Sequence, residues 1–333
     1  MTQVKRKVLI TGGAGYIGSH AVLACLEAGH DVVVVDNLST GKHENVSPLC
    51  AFVQGDVGDV ATMAEVIDTH HVHGVMHFAG SIIVPESIVN PALYYENNTA
   101  KTLRLATLAK DKGLKAFIFS STAVVYAPEN KQPLSEGDPK APISPYGWSK
   151  LMSEQMLADL SVASGLAVGV LRYFNVAGSD PQGRTGQSAT NATHLIKVAC
   201  QVITGQRKTL PVFGTDYPTR DGTCIRDYIH VSDLADAHVA LLEHLLAGGS
   251  NITANCGYGN GDSVLEVIAA LERLIDSKLP VDLQPRRPGD CAALVADTAH
   301  LKSLLNWQPK FDDLNIIVAD ALAWERKIVA RNE

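Results

Sequence analysis

The six cysteines (Cys25, Cys50, Cys200, Cys224, Cys256 and Cys291) include no C-x-x-C pair. That scatter argues against a disulfide framework or a thiolate zinc site and leaves buried structural thiols as the expectation. The twelve histidines show no H-E-x-x-H spacing. His70, His71 and His73 cluster in a polar connection where a solvated loop is expected, so no metal site is assigned. No apolar run approaches the roughly 20 residues that span a bilayer. The apolar stretch within MTQVKRKVLITGG is too short for a signal peptide and runs into a glycine turn, so a soluble, cytoplasmic protein is expected. Excess positive charge is also missing: the formal charge of −7 argues against nucleic acid or an anionic membrane as partner. A local arginine cluster could still hold a small anionic ligand. Tandem repeats and low-complexity segments are absent.

What is present is a chain of 333 residues, 46% hydrophobic, enough for one large domain or two closely packed ones. Residues 7–10, 31–35, 51–53, 74–77, 116–119 and 168–172 read as strands. Runs such as VVVV (32–35) are apolar on both alternating faces, as strands covered on both sides require. Helix-length segments at 16–28, 60–69, 91–112 and 146–164 lie between them. The alternation implies right-handed crossovers and a parallel, doubly wound α/β sheet. After about residue 175 the texture changes. Residues 181–193 are polar and read as a mobile loop, followed by helices at 194–205, 231–246, 263–275 and 314–329 with short strand signals between. The expectation is a first domain over 1–175 and a smaller α/β domain over 176–333, with some interweaving.

The first strand runs into TGGAGYIG and a helix. Gly13, Gly15 and Gly18 fit G-x-G-x-x-G, and Gly12, Gly15 and Gly18 fit its G-x-x-G-x-x-G variant. Glycine is needed there for unusual backbone angles and for close approach of a pyrophosphate to main-chain N–H groups at a helix N-terminus. Asp36, ending the second strand, is placed to hydrogen-bond the adenosine ribose and to repel a 2′-phosphate. The pattern therefore reads as a Rossmann-type site selecting NAD. Asp56, after the third strand, could reach the adenine edge. Phe78, Ala79 and Gly80 follow His77, where small residues would admit the cofactor.

Tyr146 and Lys150 have the Y-x-x-x-K form at the start of a helix, on one helical face. A phenol titrates near about 10 in water. The ammonium and a cationic nicotinamide are expected to depress that value, giving a base near neutral pH. Thr122, directly after the fifth strand, could bond the reacting oxygen and relay its proton.

The segments TGGAGYIGSH, VVDNLSTG, HFAG, ESIVNPALYYENN, SPYGWSK, LRYFNVAG, FGTDYPTRDGTCIRDYIHVSDLADAH and PRRPGDCAALVAD run nearly end to end. With them the chain resembles the UDP-glucose (UDP-galactose) 4-epimerases of the extended short-chain dehydrogenase/reductase family. The resemblance implies pyrophosphate contacts at Gly12, Gly15, Tyr16, Ile17 and Gly18, and ribose contacts at Asp36 and Asn37. Asp56 and Val57 would flank the adenine. Phe78, Ala79, Gly80, Asn97, Ser120, Tyr146, Lys150 and Phe174 would line the rest of the NAD site. It places Thr122, Tyr146, Asn175, His194, Leu195, Val212, Phe213, Arg226, Arg287, Asp290 and Leu294 around a nucleotide sugar, with the arginines on the diphosphate. It also implies a homodimer through a four-helix bundle built from helices near 99–112 and 149–164. Ala123 and Val124 stand where related 4,6-dehydratases carry acids, which disfavours elimination. The family's frequent Lys after HFAG is replaced by Ser81-Ile82-Ile83-Val84, and Leu294 leaves the acceptance of N-acetylhexosamines open. UDP-N-acetylhexosamine and UDP-xylose/UDP-arabinose 4-epimerases stay as alternatives, with a non-catalytic NAD sensor more remote because the Tyr–Lys pair is kept.

Overall fold

In the first half of the chain the strands are apolar at successive positions because alternate side chains enter different cores. Val8, Ile10, Val32 and Val34 join one buried cluster, while Leu9, Val33 and Val35 join another on the opposite face. The computed structural model describes residues 5–189, 192–287 and 289–332.

The chain runs through β1 (Lys7–Thr11), α1 (Tyr16–Glu27), β2 (Asp31–Asp36), β3 (Ala51–Gln54), α2 (Val60–His70), β4 (Gly74–His77), α3 (Val84–Val89) and α4 (Pro91–Tyr94). It continues through α5 (Lys101–Asp111), β5 (Ala116–Thr122), α6 (Pro145–Ser164), β6 (Ala167–Tyr173), β7 (Asn175–Ala177) and α7 (Leu195–Ile203). Beyond lie β8 (Leu210–Phe213), β9 (Ile225–Arg226), β10 (Tyr228–His230), α8 (Val231–Leu246), β11 (Ile252–Cys256), β12 (Asp262–Ser263) and α9 (Val264–Ile275). The last elements are β13 (Val281–Gln284), β14 (Ala293–Leu294), α10 (Ala299–Leu304) and α11 (Leu314–Asn332).

Seven strands form a parallel sheet in the order β11-β6-β5-β4-β1-β2-β3, with helices on both faces. The Rossmann-type α/β expectation holds. Six strands were expected, and the seventh, β11, comes from the second half of the chain and pairs with β6. The helix preceding it, α8, packs with α1 on one face, while α2, α5 and α6 cover the other. Smaller sheets pair β7 with β10, β8 with β13, and β9 with both β12 and β14.

Local chemistry fixes the element ends. Ser144 caps α6 by accepting from the Gly147 N–H at 3.2 Å, Pro145 occupies its first turn, and Gly165 ends it in the left-handed region. Ser263 and Glu266 form a reciprocal capping box on α9.

Four expectations need correction. The single helix over 91–112 is broken by a π-helical turn at Tyr95–Ala100, although no glycine or proline lies in that turn. β5 runs through Thr122, because β6 pairs with it as far as Thr122↔Tyr173. His70 belongs to α2, His71 closes that helix at φ 53, and His73 accepts from the Lys7 N–H at 3.2 Å. Cys50 and Cys291 are half-buried, unlike the other four thiols. The loop over 181–193 has no helix or strand in its described part, and residues 190 and 191 lie outside the described residues.

Candidate active site

β1 ends in a turn that only glycine fits. Gly12 has φ +73, and a Cβ there would lie 2.7 Å from the Ala79 nitrogen; at Gly18 a Cβ would lie 2.1 Å from the Gly12 carbonyl oxygen. Gly15 is the N-cap of α1 and offers no side-chain acceptor, so the first N–H groups of the helix are left for an external anion. Buried Asp36 accepts from the Ala14 N–H at 3.0 Å and from the Leu38 N–H at 2.8 Å. It thereby ties the glycine loop to β2, and each oxygen keeps a lone pair for a ribose hydroxyl. Tyr16 donates to the Gly178 carbonyl at 2.7 Å, and half-buried Ile17 packs on the core below.

Asp56 accepts from the Gly58 N–H and from the Lys101 ammonium, both at 2.7 Å, with exposed Asn37 at 3.4 Å. Burial would raise its carboxyl, but Lys101 and the Gly58 N–H hold it below its ordinary value. Val57 is buried beside it. Phe78 packs on His238 with ring centroids 4.8 Å apart, and half-buried Ala79 follows it. At Gly80 a Cβ would come within 2.8 Å of the Asn98 side-chain oxygen and 3.8 Å of the Lys150 ammonium. Asn97 donates to the Ser81 hydroxyl at 3.0 Å. These features fit a dinucleotide laid across the strand ends.

Tyr146 and Lys150 are both buried on the first turns of α6, at 8% and 4% exposure. Thr122 accepts from the Val124 N–H at 3.2 Å, and its hydroxyl neighbours the Tyr146 phenol and favours its ionised form. Tyr94 meets the Tyr146 ring edge-on at 6.3 Å. The Lys150 ammonium donates to the Ser120 carbonyl at 2.9 Å and lies 4.8 Å from the centre of the Phe119 ring. The Ser120 hydroxyl bonds the hydroxyl of Tyr173. Burial lowers Lys150 to about 8, offset in part by the charge of Glu154. Burial also pushes Tyr146 up to about 12, against a lowering by the Thr122 hydroxyl. The expected depression by Lys150 is therefore not met in the protein itself: its ammonium is engaged by the Ser120 carbonyl, and desolvation of the phenol dominates.

The residues assigned to a sugar nucleotide form a second group. Asn175 opens β7 and donates its N–H to the Asp227 carbonyl at 3.0 Å. His194, the N-cap of α7, accepts from the Gln187 side-chain amide at 3.1 Å, and Leu195 is half-buried beside it. Arg226 donates to the carbonyls of Ile225 at 2.8 Å and Cys291 at 3.0 Å, with Asp290 at 3.5 Å. Leu294 lies in register with Arg226 across the β9–β14 pair. The guanidinium of Arg287 stacks 4.2 Å from the centre of the Phe213 ring. Val212 departs from expectation, because its side chain is 1% exposed within the main core and only its backbone is available. The two groups meet where Leu294 and Phe174 pack on Val125, Tyr126 and Leu134.

Three residues around the site escaped the sequence reading: Lys101, Tyr94 and Asn98. Lys101 is an ordinary helix residue whose partner Asp56 is remote in sequence, and Tyr94 bonds Ile83 and Glu86 across a helix break. Tyr94 and Asn98 had a visible signal only as the ends of YYENN.

A glycine loop opening a helix at the ends of a parallel sheet, beside a buried Tyr-x-x-x-Lys pair and a strand-end threonine, defines a dinucleotide-dependent enzyme of the short-chain dehydrogenase/reductase type. The chain belongs to the NAD dependent epimerase/dehydratase family, whose profile matches residues 8–257. It is 52% identical to the UDP-glucose 4-epimerase of Azospirillum brasilense over 327 residues, covering 98% of this chain and 94% of that one. The UDP-glucose 4-epimerase of Brucella ovis, solved in complex with NAD, superposes with a TM-score of 0.93 at 42% identity, covering 96% of this chain and 98% of that one. The Bifidobacterium longum enzyme, solved with NAD+ and UDP, gives a TM-score of 0.90 at 38% identity, again covering 96% and 98%.

Proposed function

We infer that this chain interconverts UDP-glucose and UDP-galactose by oxidising the hexose at carbon 4 and re-reducing it on the opposite face. One arrangement carries the reading: the Tyr146 phenol beside the Thr122 hydroxyl and the buried Lys150 ammonium, next to a glycine loop shaped for a dinucleotide. Tyr146 takes the proton of the C4 hydroxyl. Thr122, whose oxygen already accepts from Val124, directs its own proton at the Tyr146 oxygen and so favours the phenolate. NAD, when bound, accepts and returns the C4 hydride and adds a positive charge that also favours the phenolate. Ala123 and Val124 supply no acid for elimination, so the keto sugar persists. It turns about its link to the diphosphate, anchored by Arg226 and Arg287. Tyr146 then returns the proton.

Anomeric-proton NMR of UDP-galactose with the purified protein and no added NAD tests this. Appearance of UDP-glucose is expected. Conversion only of N-acetylhexosamine or pentose nucleotides would move the substrate assignment, and no conversion of any with NAD supplied would overturn it.

In this reading residues 1–175 serve mainly the cofactor and 176–333 the nucleotide sugar, with α8 and β11 returning to the first sheet. Six free thiols suit a reducing cytoplasm, and among the described residues no helix is long and apolar enough to cross a membrane. A homodimer is supported by α5 and α6, which pack together and leave Leu103, Trp148 and Met152 exposed. In the stripe Met152, Met156 and Leu160, Leu160 packs on the core, Met156 is half-buried and Met152 is exposed. Light scattering at micromolar concentration should give about twice the 35.5 kDa chain mass, and a monomeric mass would reject the bundle.

A further inference from the structure

Three side chains spaced by four on α6 grip three consecutive residues of β5. Tyr146 neighbours the Thr122 hydroxyl, Lys150 bonds the Ser120 carbonyl at 2.9 Å, and Glu154 accepts from the Ser121 hydroxyl at 2.5 Å. Glu154 is 8% exposed and also holds Arg172, whose Nε lies 3.0 and 3.1 Å from its two oxygens and whose Nη2 lies 2.5 Å from one of them. Ser121 and Arg172 are register partners across β5 and β6, and the next pair is Thr122↔Tyr173. Arg172 in turn donates to the Tyr126 hydroxyl at 3.0 Å.

A buried ion pair is weak support for stability, since desolvation offsets much of its attraction. Its placement suggests a different use. The carboxylate is one helical turn from Lys150, and it fixes the residue between the two that touch Lys150 and Tyr146. We propose that Glu154 is a positioning residue for the reaction, pinning the end of β5 against α6 and retaining the ammonium of Lys150. The inference rests on reading Tyr146 and Lys150 as the reacting pair.

The titratable groups around Lys150 are Tyr146 and Glu154 on its own helix, His77 at the end of β4, and Arg172 and Tyr173 on β6. The π-helical turn contributes the amides of Asn97 and Asn98. His77 is held neutral, lowered to about 3 by burial and by Lys150 itself. Glu154 is the one carboxyl group among these, and it is paired with Arg172. Glu154→Gln keeps an acceptor for Ser121 and removes the charge, so Lys150 loses its proton at lower pH. The sign is fixed: an ammonium deprived of a nearby anion has its value lowered.

The test is an NMR titration of the lysine ε-carbons in the holoenzyme, paired with the pH profile of turnover. In Glu154→Gln the Lys150 midpoint and the alkaline limb of kcat should both move down by about one pH unit or more. Ser121→Ala, a milder change, should leave the midpoint in place. It should lower kcat by about tenfold with KM for UDP-galactose near the parent value, as small misplacements of reacting groups do. An unmoved midpoint in Glu154→Gln, or full kcat in Ser121→Ala, overturns the proposal. If Glu154→Gln does not fold, Ser121→Ala decides. If the unmodified enzyme turns over no UDP-sugar, the functional reading fails, while the titration still reports on Glu154.

Discussion

Replacing Tyr146 by Phe removes the phenolic oxygen and leaves the ring in its contact with Tyr94. Turnover of UDP-galactose should fall by about 10²- to 10⁴-fold while NAD still copurifies, since the glycine loop and Asp36 are untouched. Near-normal turnover would mean another group takes the proton. Lys150 allows a prediction about stability. Its ordinary value of 10.5 falls to about 8 in the folded chain because burial penalises the charge. Below pH 8 both states are protonated and the folded one carries that penalty. Between 8 and 10.5 the unfolded state alone holds the proton, so stability rises with pH across that window. Lys150→Met should therefore raise Tm at pH 7, with a gain in unfolding free energy of up to about 3 kcal/mol less the lost Ser120 hydrogen bond, and the gain should shrink by pH 10. A gap that does not narrow would show that burial of the charge is not what the lysine costs. Residues such as Tyr146, Lys150 and Gly12 were legible because their chemistry is written in local spacing. Lys101 was not, because it reaches Asp56 across 45 positions and nothing on its own helix marks the contact. The raised value of Tyr146 was missed for a related reason: a motif shows which charges are near in sequence, but not how thoroughly water is excluded.

At the scale of elements, the π-helical turn between α4 and α5 does what a straight helix would not. It places Asn98 so that its side chain accepts from the Ser81 N–H at 2.7 Å and donates to the Ser81 carbonyl at 2.9 Å and the Ser149 hydroxyl at 3.0 Å. One residue thus joins the segment after β4, where the expected lysine is missing, to the helix carrying Tyr146 and Lys150. Such turns recur at functional sites. Asn98→Ala leaves the half-buried Ser81 N–H and carbonyl without this partner, so a loss of about 1 kcal/mol in stability is expected, with faster release of NAD on dialysis. Unchanged Tm and NAD content would show that the turn is not held by this side chain. The strands of the first half and helices α1, α2 and α6 were readable from period and glycine punctuation, and their ends agree within a few residues, whereas α3 was not expected. The break in 91–112 was not readable, because no residue in the turn is a helix breaker and the distortion is fixed by side-chain bonds to distant segments.

The whole molecule is less divisible than its change of texture at about residue 175 suggests. Leu241 and Leu242 of α8 press on glycines of the sheet: a Cβ at Gly169 would lie 2.7 Å from Leu241, and one at Gly74 would lie 3.3 Å from Leu242. Together with α1, α8 covers the face formed by Val8, Ile10, Met76, Ile118 and Leu171, all buried, and β11 satisfies the outer edge of β6. β11 went unrecognised because a five-residue strand with an exposed Thr253 carries little periodic signal. Removing everything beyond residue 175 would bare this apolar face and leave β6 as an open edge, the combination that drives strand-to-strand association. A fragment of residues 1–175 should therefore be insoluble or lack a cooperative thermal transition, although it holds the glycine loop, Asp36, Tyr146 and Lys150. The full chain should lose its sheet signal in circular dichroism and its bound NAD together. If the fragment instead folds cooperatively and binds NAD, α8 and β11 are additions to a finished domain, and the cofactor half owes its stability to its own six helices and six strands.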